Sequence, residues 1–242
     1  HTRLTKVTGV QTCVLPIYSL ASAVLNALEK ETAKILKDVK DGEFDVPVGV
    51  SNHHVHLSRE DIDICFGEGY ELTPLKDLSQ PGQFACKETV TICGPKGAIE
   101  KIRILGPARK ATQVELFVAD NFKLGIDAPL RLSGDLKGSA PVTIVGPKGS
   151  VYKEEAAIVA QRHIHMTPED AEHFGVSDGE IVSVTVIGGR AGVLGNVVIR
   201  ANEKSKLDFH IDTEEANAMG LGNGSVVTKR SEERRVGKEC RS

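Results

Sequence analysis

The chain has 242 residues, of which 40% are apolar and 4% aromatic; tryptophan is absent and glycine occurs 24 times. This composition suits a β architecture of short strands and turns better than a helical bundle. No apolar run approaches the roughly 18–20 residues that cross a bilayer, so no membrane association is expected. The 33 acidic residues outnumber the 30 Lys and Arg residues, a balance opposite to that of a typical nucleic-acid binder.

The two ends of the chain differ in character from the sequence between them. Residues 1–17 and 230–242 resemble translated sequencing adapters, and we expect a non-native leader and a non-native tail, with a native basic tail as the alternative. Between them, Cys65, Cys86 and Cys93 form no CxxC pair. An odd number of separated cysteines indicates reduced thiols and an intracellular, cytoplasmic location.

An N-terminal amphipathic helix and linker are predicted over residues 18–45. Residues 19–40 place apolar side chains along one side of a helical wheel and end at the break DGEFDVP. Two uses compete for this helix. It caps the domain that follows, or it docks onto a partner such as a shell protein.

The rest of the sequence is duplicated. VGVSNHHVHLSREDIDICFGEG (48–69) matches AIVAQRHIHMTPEDAEHFGVSDG (157–179), and each copy runs from a His-x-His into a Ser or Thr with an Asp three residues later. This spacing predicts helix N-caps at Ser58 and at Thr167.

Short strands bounded by turn residues characterise both copies. VTICGPKG and VTIVGPKG, which end at residues 97 and 149, are a further matching pair of strand and turn. We therefore predict a mainly β fold with short α segments: two duplicated small β-barrel domains, 46–140 and 141–229, each with short capping helices.

The repeated His-x-His predicts two metal sites. Residues i and i+2 of a strand project to the same face, so each pair offers two imidazoles to one ion. The duplication adds a third group at a constant offset of 95, Glu115 in the first copy and His210 in the second. Three nitrogen and oxygen ligands with an open position are typical of catalytic zinc, with iron, cobalt and manganese as alternatives. The predicted ligands are His54, His56, Glu115, His163, His165 and His210.

His53 and Arg109 lie close in the sequence to predicted ligands but are not predicted to be ligands themselves. His53 breaks the strand alternation and is expected to face away from the ligands. Arg109 follows a Gly-Pro turn six residues ahead of Glu115, so we expect a fixed cation beside the metal. A guanidinium binds phosphate through a two-pronged fork. The alternative is a solvated Arg without a role.

Six stretches, taken together, resemble the PduL-type phosphate propanoyltransferases, also called phosphotransacylases. They occur in the family's order and spacing, and the likeness runs from about residue 46 to residue 227. The stretches are VGVSNHHVHLS, LTPLKDLSQPGQFACKETVTICGPKG, ILGPARKATQVE, FKLGIDAPLRLSGDLKGS, IVAQRHIHMTPEDAEHFGVSDG and HIDTEEANAMGL. The resemblance implies two β-barrel domains and two zinc ions. It also implies an enzyme that interconverts a short-chain acyl-CoA, propanoyl-CoA or acetyl-CoA, plus phosphate with acyl phosphate plus CoA.

The resemblance also implies roles for individual residues. The first ligand group would hold a metal that meets the CoA sulfur, and the second group a more hydrated metal. Arg109 matches the catalytic arginine that holds phosphate, and Ser51 is a candidate for the substrate pocket. One departure is visible: the family's Arg is replaced by His53 in the first copy, whereas the second copy keeps Arg162.

The cellular setting implied by the resemblance is propanediol degradation. The partners would be coenzyme A, acyl-CoA and phosphate, and residues 19–40 would contact shell or cargo proteins of a bacterial microcompartment. Its lumen is then an alternative to the open cytoplasm. A homo-oligomer is compatible with the sequence.

Two other functions are compatible with the motifs alone. A dinuclear metallohydrolase would use metal-bound water to cleave a thioester or ester. A non-catalytic module would use the metals only to stabilise its barrels. Phosphate dependence of thioester cleavage separates the acyltransferase from the hydrolase.

Overall fold

The computed structural model describes residues 45–230, so the predicted leader, the predicted helix 19–40 and residues 231–242 lie outside the described chain. The strands, in chain order, are β1 (Asp45–Ser51), β2 (His54–His56), β3 (Pro74–Asp77), β4 (Phe84–Cys93), β5 (Ala98–Gly106), β6 (Gln113–Leu116), β7 (Leu130–Arg131), β8 (Ala140–Val145), β9 (Ser150–Ala160), β10 (His163–Met166), β11 (Ile181–Val186), β12 (Gly192–Ala201), β13 (Asp208–Asp212) and β14 (Val226–Arg230). The helices are α1 (Arg59–Phe66), α2 (Val118–Leu124), α3 (Pro168–Phe174) and α4 (Thr213–Met219).

The strands close into two barrels of six strands each. The first has the order β4-β5-β2-β6-β9-β8 and closes where β8 pairs with β4, and β3 and β7 extend it at its margins. The second has the order β1-β13-β10-β12-β11-β14 and closes where β1 pairs with β14. The predicted mainly β fold with short helices is thereby confirmed.

Both barrels use the same strand pairing around the His-x-His. In the first, β2 lies parallel to β5 and antiparallel to β6. In the second, β10 lies parallel to β12 and antiparallel to β13. The sequence duplication is therefore also a duplication of sheet topology.

The barrels do not divide the chain at the predicted boundary between residues 140 and 141. β1, which precedes the first His-x-His, pairs with β13 and β14 of the second barrel. β9, which precedes the second His-x-His, pairs with β6 and β8 of the first barrel. Each copy contributes its leading strand to the other barrel, so the chain crosses between barrels immediately before each histidine motif.

Apolar side chains, mostly β-branched or leucine, fill both barrels. The core cluster of the first barrel lies entirely between Val55 and Val159. The second barrel buries Ile164, Ile199 and Phe209. Each fully buried side chain of this size contributes about 1.5–3 kcal/mol of transfer free energy, so each barrel has a core of its own.

The short helices begin and end at the residues that the duplication indicates. Ser58 caps α1 and Thr167 caps α3, each accepting a hydrogen bond from a backbone N–H three residues later. Helices α2 and α4 end at Gly125 and Gly220, which have φ angles of 72° and 64° that suit glycine. None of the helices within residues 45–230 is long and apolar enough to span a membrane.

Candidate active site

The first predicted ligand group comes together on two adjacent strands. His54 and His56 lie on β2, and Glu115 on β6 is directly opposite His54 in the antiparallel register. The distance from His54 Nε2 to Glu115 Oε2 is 3.4 Å. One ligand atom from each residue lies within 4.8 Å of the others, and all three side chains are buried. This group could hold a metal ion.

The second ligand group repeats this arrangement. His163 and His165 lie on β10, and His210 on β13 is directly opposite His163. The Nε2 atoms of His163 and His165 are 3.0 Å apart, and the three ring centroids lie 4.6 to 5.3 Å from one another. This group could also hold a metal ion.

Backbone carbonyls orient the imidazoles. His54 Nδ1 donates to the carbonyl oxygen of Asn52 at 2.8 Å, and His163 Nδ1 donates to that of Gln161 at the same distance. Both acceptors lie two residues before the histidine, where the chain crosses between barrels. Because a nitrogen that donates to a carbonyl carries the hydrogen, Nε2 keeps its lone pair for a ligand. His165 Nδ1 is buried and has no hydrogen-bond partner within residues 45–228.

Burial keeps most of these imidazoles neutral. Burial and the adjacent His54 lower the pKa of His56 to about 3. Burial and His210 lower the pKa of His163 to about 4, and burial and His163 lower the pKa of His165 to about 3. Neutral imidazole is the form that binds a metal.

Glu115 gives the first group a negative charge. Burial alone would raise the pKa of its carboxyl, but the neighbouring His54 lowers this pKa well below its usual range. For His54, burial acts to lower the pKa, and the Glu115 carboxylate outweighs it, so the pKa is raised. The Glu115 carboxylate and the His54 imidazole therefore suit a cation bound between them.

Both groups open into one cavity of about 840 Å³, which Ser51, Arg109 and Ser133 also line. Arg109 is half-buried, its backbone N–H donates to Leu57 at 2.9 Å, and its guanidinium donates to Ser133 Oγ at 3.1 Å. Burial lowers the pKa of Arg109, which remains a cation because a guanidinium titrates far above neutrality. The predicted cation thus faces the same cavity as both ligand groups.

His53 contacts the helix that follows the third ligand of its copy. His53 Nδ1 lies 3.1 Å from Asp120 Oδ2 on α2, and its ring stacks on Phe117. At the equivalent position of the second copy, Arg162 contacts Glu215 on α4 at 2.7 Å. In both copies this residue tethers the helix that follows the third ligand. His53 is outside the ligand group, as strand alternation predicts.

Two charged residues of the cavity were not predicted from the sequence. Arg200 on β12 is paired in register with His165 and is half-buried, and its guanidinium has no hydrogen bond or ion pair to any residue between 45 and 228. Asp208 on β13 lies two residues before His210, with its carboxylate Oδ2 2.9 Å from His210 Nε2. A lone Arg or Asp within a strand belongs to no motif. The one signal in the sequence is that the duplication aligns Asp208 with Gln113, which indicates a polar position on this strand.

Comparison with known proteins identifies the family of this chain. A family model described as phosphate propanoyltransferase matches residues 47–222. The chain is 58% identical over 181 residues to the phosphate propanoyltransferase of Thermotoga maritima, covering 74% of this chain and 86% of the relative. It is 59% identical over 185 residues to that of Rhodobacter capsulatus, covering 76% and 86%. It is 50% identical over 202 residues to that of Clostridioides difficile, covering 84% and 96%. This chain therefore belongs to the phosphate propanoyltransferases, a family of acyl-transferring enzymes.

Proposed function

We propose that this enzyme interconverts a short-chain acyl-CoA, propanoyl-CoA or acetyl-CoA, plus phosphate with the acyl phosphate plus CoA, using two zinc ions. One observation carries the proposal: two three-residue ligand groups and a half-buried arginine line a single cavity. That cavity offers places for two cations and for an anionic substrate.

The donor atoms suit zinc at both positions. His54, His56 and Glu115 would hold the first ion, and the three histidines of the second group would hold the other. Three protein ligands leave a coordination position open, as in catalytic zinc sites, and other divalent transition metals accept the same donors. Zinc bound there supplies a Lewis acid for the thioester carbonyl and the departing thiolate.

The side chains of the cavity itself bind and orient phosphate. Arg109 offers two N–H groups in one plane to phosphate oxygens, and Ser133 holds the guanidinium in place. Arg200, whose guanidinium has no ion-pair partner among residues 45–228, adds a second cation. Two fixed cations offset the repulsion between phosphate and the thioester and hold the nucleophile in position.

The reaction then needs one substitution at the acyl carbon. A phosphate oxygen bonds to the carbonyl carbon, the carbon–sulfur bond breaks, and CoA leaves as the thiolate. The arginines keep contact with the phosphate oxygens throughout, so their stabilisation extends to the charge that develops during attack. Ser51 lines the same cavity and remains a predicted contact of the substrate.

The test is an assay with propanoyl-CoA, with and without phosphate. CoA release, followed with a thiol reagent, is expected only when phosphate is present, with acyl phosphate formed in equal amount. Acetyl-CoA in place of propanoyl-CoA tests the acyl group. Equal CoA release without phosphate would instead indicate the hydrolase. Elemental analysis is expected to find two zinc ions per chain, and protein isolated without chelator that holds none would contradict the dinuclear site.

A further inference from the structure

Asp208 is a buried carboxylate with no Lys or Arg partner among the side chains of residues 45–228. It lies on β13 two residues before His210, on the same face of the strand, and is 4% exposed. Its ion-pair contact is with His210 Nε2 at 2.9 Å, and no Lys or Arg between residues 45 and 228 lies within ion-pair distance of it. A buried carboxylate that lacks a cation typically costs several kcal/mol. A cation other than a side chain is therefore expected here.

The two copies distribute their carboxylate differently over the same pair of positions. In the first, Glu115 lies opposite His54 and the neutral Gln113 opposite His56. In the second, His210 lies opposite His163 and Asp208 opposite His165. Each barrel thus has one carboxylate on this strand face. It lies opposite the first histidine of the His-x-His in the first copy and opposite the second histidine in the second copy.

The second copy also has the space that this carboxylate needs. In the first barrel Ile158, which is fully buried, pairs with Glu115 across β6 and β9. The equivalent position of the second barrel, paired with His210, is Gly49. A Cβ atom at Gly49 would lie 2.7 Å from Asp208 Oδ2 and 3.0 Å from His210 Cδ2. The absence of a side chain at this point leaves room for the carboxylate beside the imidazole.

We propose that Asp208 is a fourth group of the second metal site and supplies its negative charge, as Glu115 does for the first. The ligand atoms of His163, His165 and His210 lie within 4.8 Å of one another. Asp208 Oδ2 lies 2.9 Å from His210 Nε2, so an ion held by the three histidines has the carboxylate beside one of its ligands. This inference rests on the two-ion site of the proposed function. It makes the two sites equal in formal ligand charge, although their ligand residues differ.

The test measures metal retention rather than activity. Asp208→Asn in the full chain keeps the shape of the side chain and removes its charge. Wild-type protein and the variant are loaded with zinc, titrated with a chromogenic chelator and analysed for remaining zinc. We expect the variant to keep its first ion as the wild type does and to release the second at about tenfold lower chelator concentration. Asp208→Glu, which keeps the carboxylate, should recover part of the retention.

Two controls make the result specific. Asp127→Asn removes an exposed carboxylate outside the cavity and should leave both ions in place. Glu115→Gln should weaken the first ion instead of the second. If Asn at position 208 prevents folding, Gly49→Ala displaces the carboxylate without removing it and should loosen the second ion likewise.

The outcomes separate this inference from the proposed function. Wild-type protein that holds two ions and an Asp208→Asn variant that releases both at wild-type chelator concentrations would overturn the role of Asp208 alone. Wild-type protein that cannot hold two ions would overturn the two-metal proposal together with this inference.

Discussion

Arg109 enters the cavity from a backbone position held by Leu57, and Ser133 holds its guanidinium. If it binds phosphate, Arg109→Ala should slow acyl transfer roughly a hundredfold, because a charge-assisted contact that strengthens in the transition state contributes about 3 kcal/mol. Arg109→Lys should recover only part of the rate, since Lys keeps the charge but not the planar fork. The measurements are the phosphate KM, kcat, zinc content and melting temperature of each variant.

A matched control is Arg131→Ala, which removes an arginine outside the cavity that pairs with Asp135. It should leave phosphate kinetics unchanged. If Arg109→Ala instead lowers zinc content and melting temperature in step with the rate, Arg109 only braces the Gly-Pro turn.

Adjacent histidines provide a test of the ligand assignment. His54 contacts Glu115, whereas His53 is turned to Asp120 on α2. His54→Ala should therefore release one of two zinc ions and abolish acyl transfer. His53→Ala should keep both ions and lower only stability, because it loses the tether to the helix. Zinc analysis of the two variants side by side is the measurement, and equal zinc loss would show that the face assignment is wrong.

The sequence predicts the cavity residues that a motif marks and misses those without one. The two His-x-His motifs and their third partners stand out because each occurs at an equivalent place in both copies. Arg200 and Asp208 depend on which strand lies next to which, and that information is non-local. The pairing of Arg200 with His165 becomes visible only when β10 lies beside β12.

At the scale of elements, the two Gly-Pro-Lys-Gly turns support helix ends. The backbone N–H of Lys96 donates to Leu124 at the end of α2 at 2.9 Å, and that of Lys148 donates to Cys65 near the end of α1 at 3.0 Å. The last carbonyl groups of a helix have no partner within it. Both turns join strands of the first barrel, and each supplies a donor to the end of a different helix that packs on its core.

The first glycine of each turn allows this close approach. A Cβ at Gly94 would overlap the carbonyl oxygen of Leu124, and one at Gly146 would overlap that of Cys65. We expect Gly94→Ala and Gly146→Ala each to lower the free energy of unfolding by about 1–3 kcal/mol, the usual cost of overpacking. Denaturant unfolding is the measurement. Gly189→Ala, where a Cβ meets no atom within 4 Å, is the control, and equal effects of all three substitutions would refute this role of the turns.

The elements that the sequence predicts well are those with local signals. The N-caps at Ser58 and Thr167 follow from side chains three residues apart, and the structure has both. The exchange of β1 and β9 between barrels has no local signal. Both strands lead directly into a His-x-His. Their alternation of apolar residues would fit a strand of either barrel, so it does not show which barrel each strand joins.

At the scale of the whole molecule, this exchange joins the two ligand groups to one cavity. The chain leaves the second barrel after β1 and immediately forms β2 of the first, and it makes the reverse crossing between β9 and β10. Both crossings supply the carbonyl groups that orient a histidine, Asn52 in one case and Gln161 in the other. A simple tandem of independent barrels would lack these shared crossings.

The exchange has a consequence for how the chain can be divided. The core cluster of the first barrel lies between Val55 and Val159, and residues 52–160 contain all six of its strands and the whole first ligand group. Residues 46–140 lack β9 and nearly all of β8, while β1 has no partner strand there.

We expect the 52–160 fragment to unfold cooperatively on heating and to bind one zinc ion, and the 46–140 fragment to do neither. Circular dichroism melts and zinc analysis are the measurements. The 46–160 fragment is the control: adding β1 without its partners should leave the melting temperature nearly unchanged. Cooperative unfolding of 46–140 with none for 52–160 would mean that each barrel folds from its own sequence repeat, against the strand exchange.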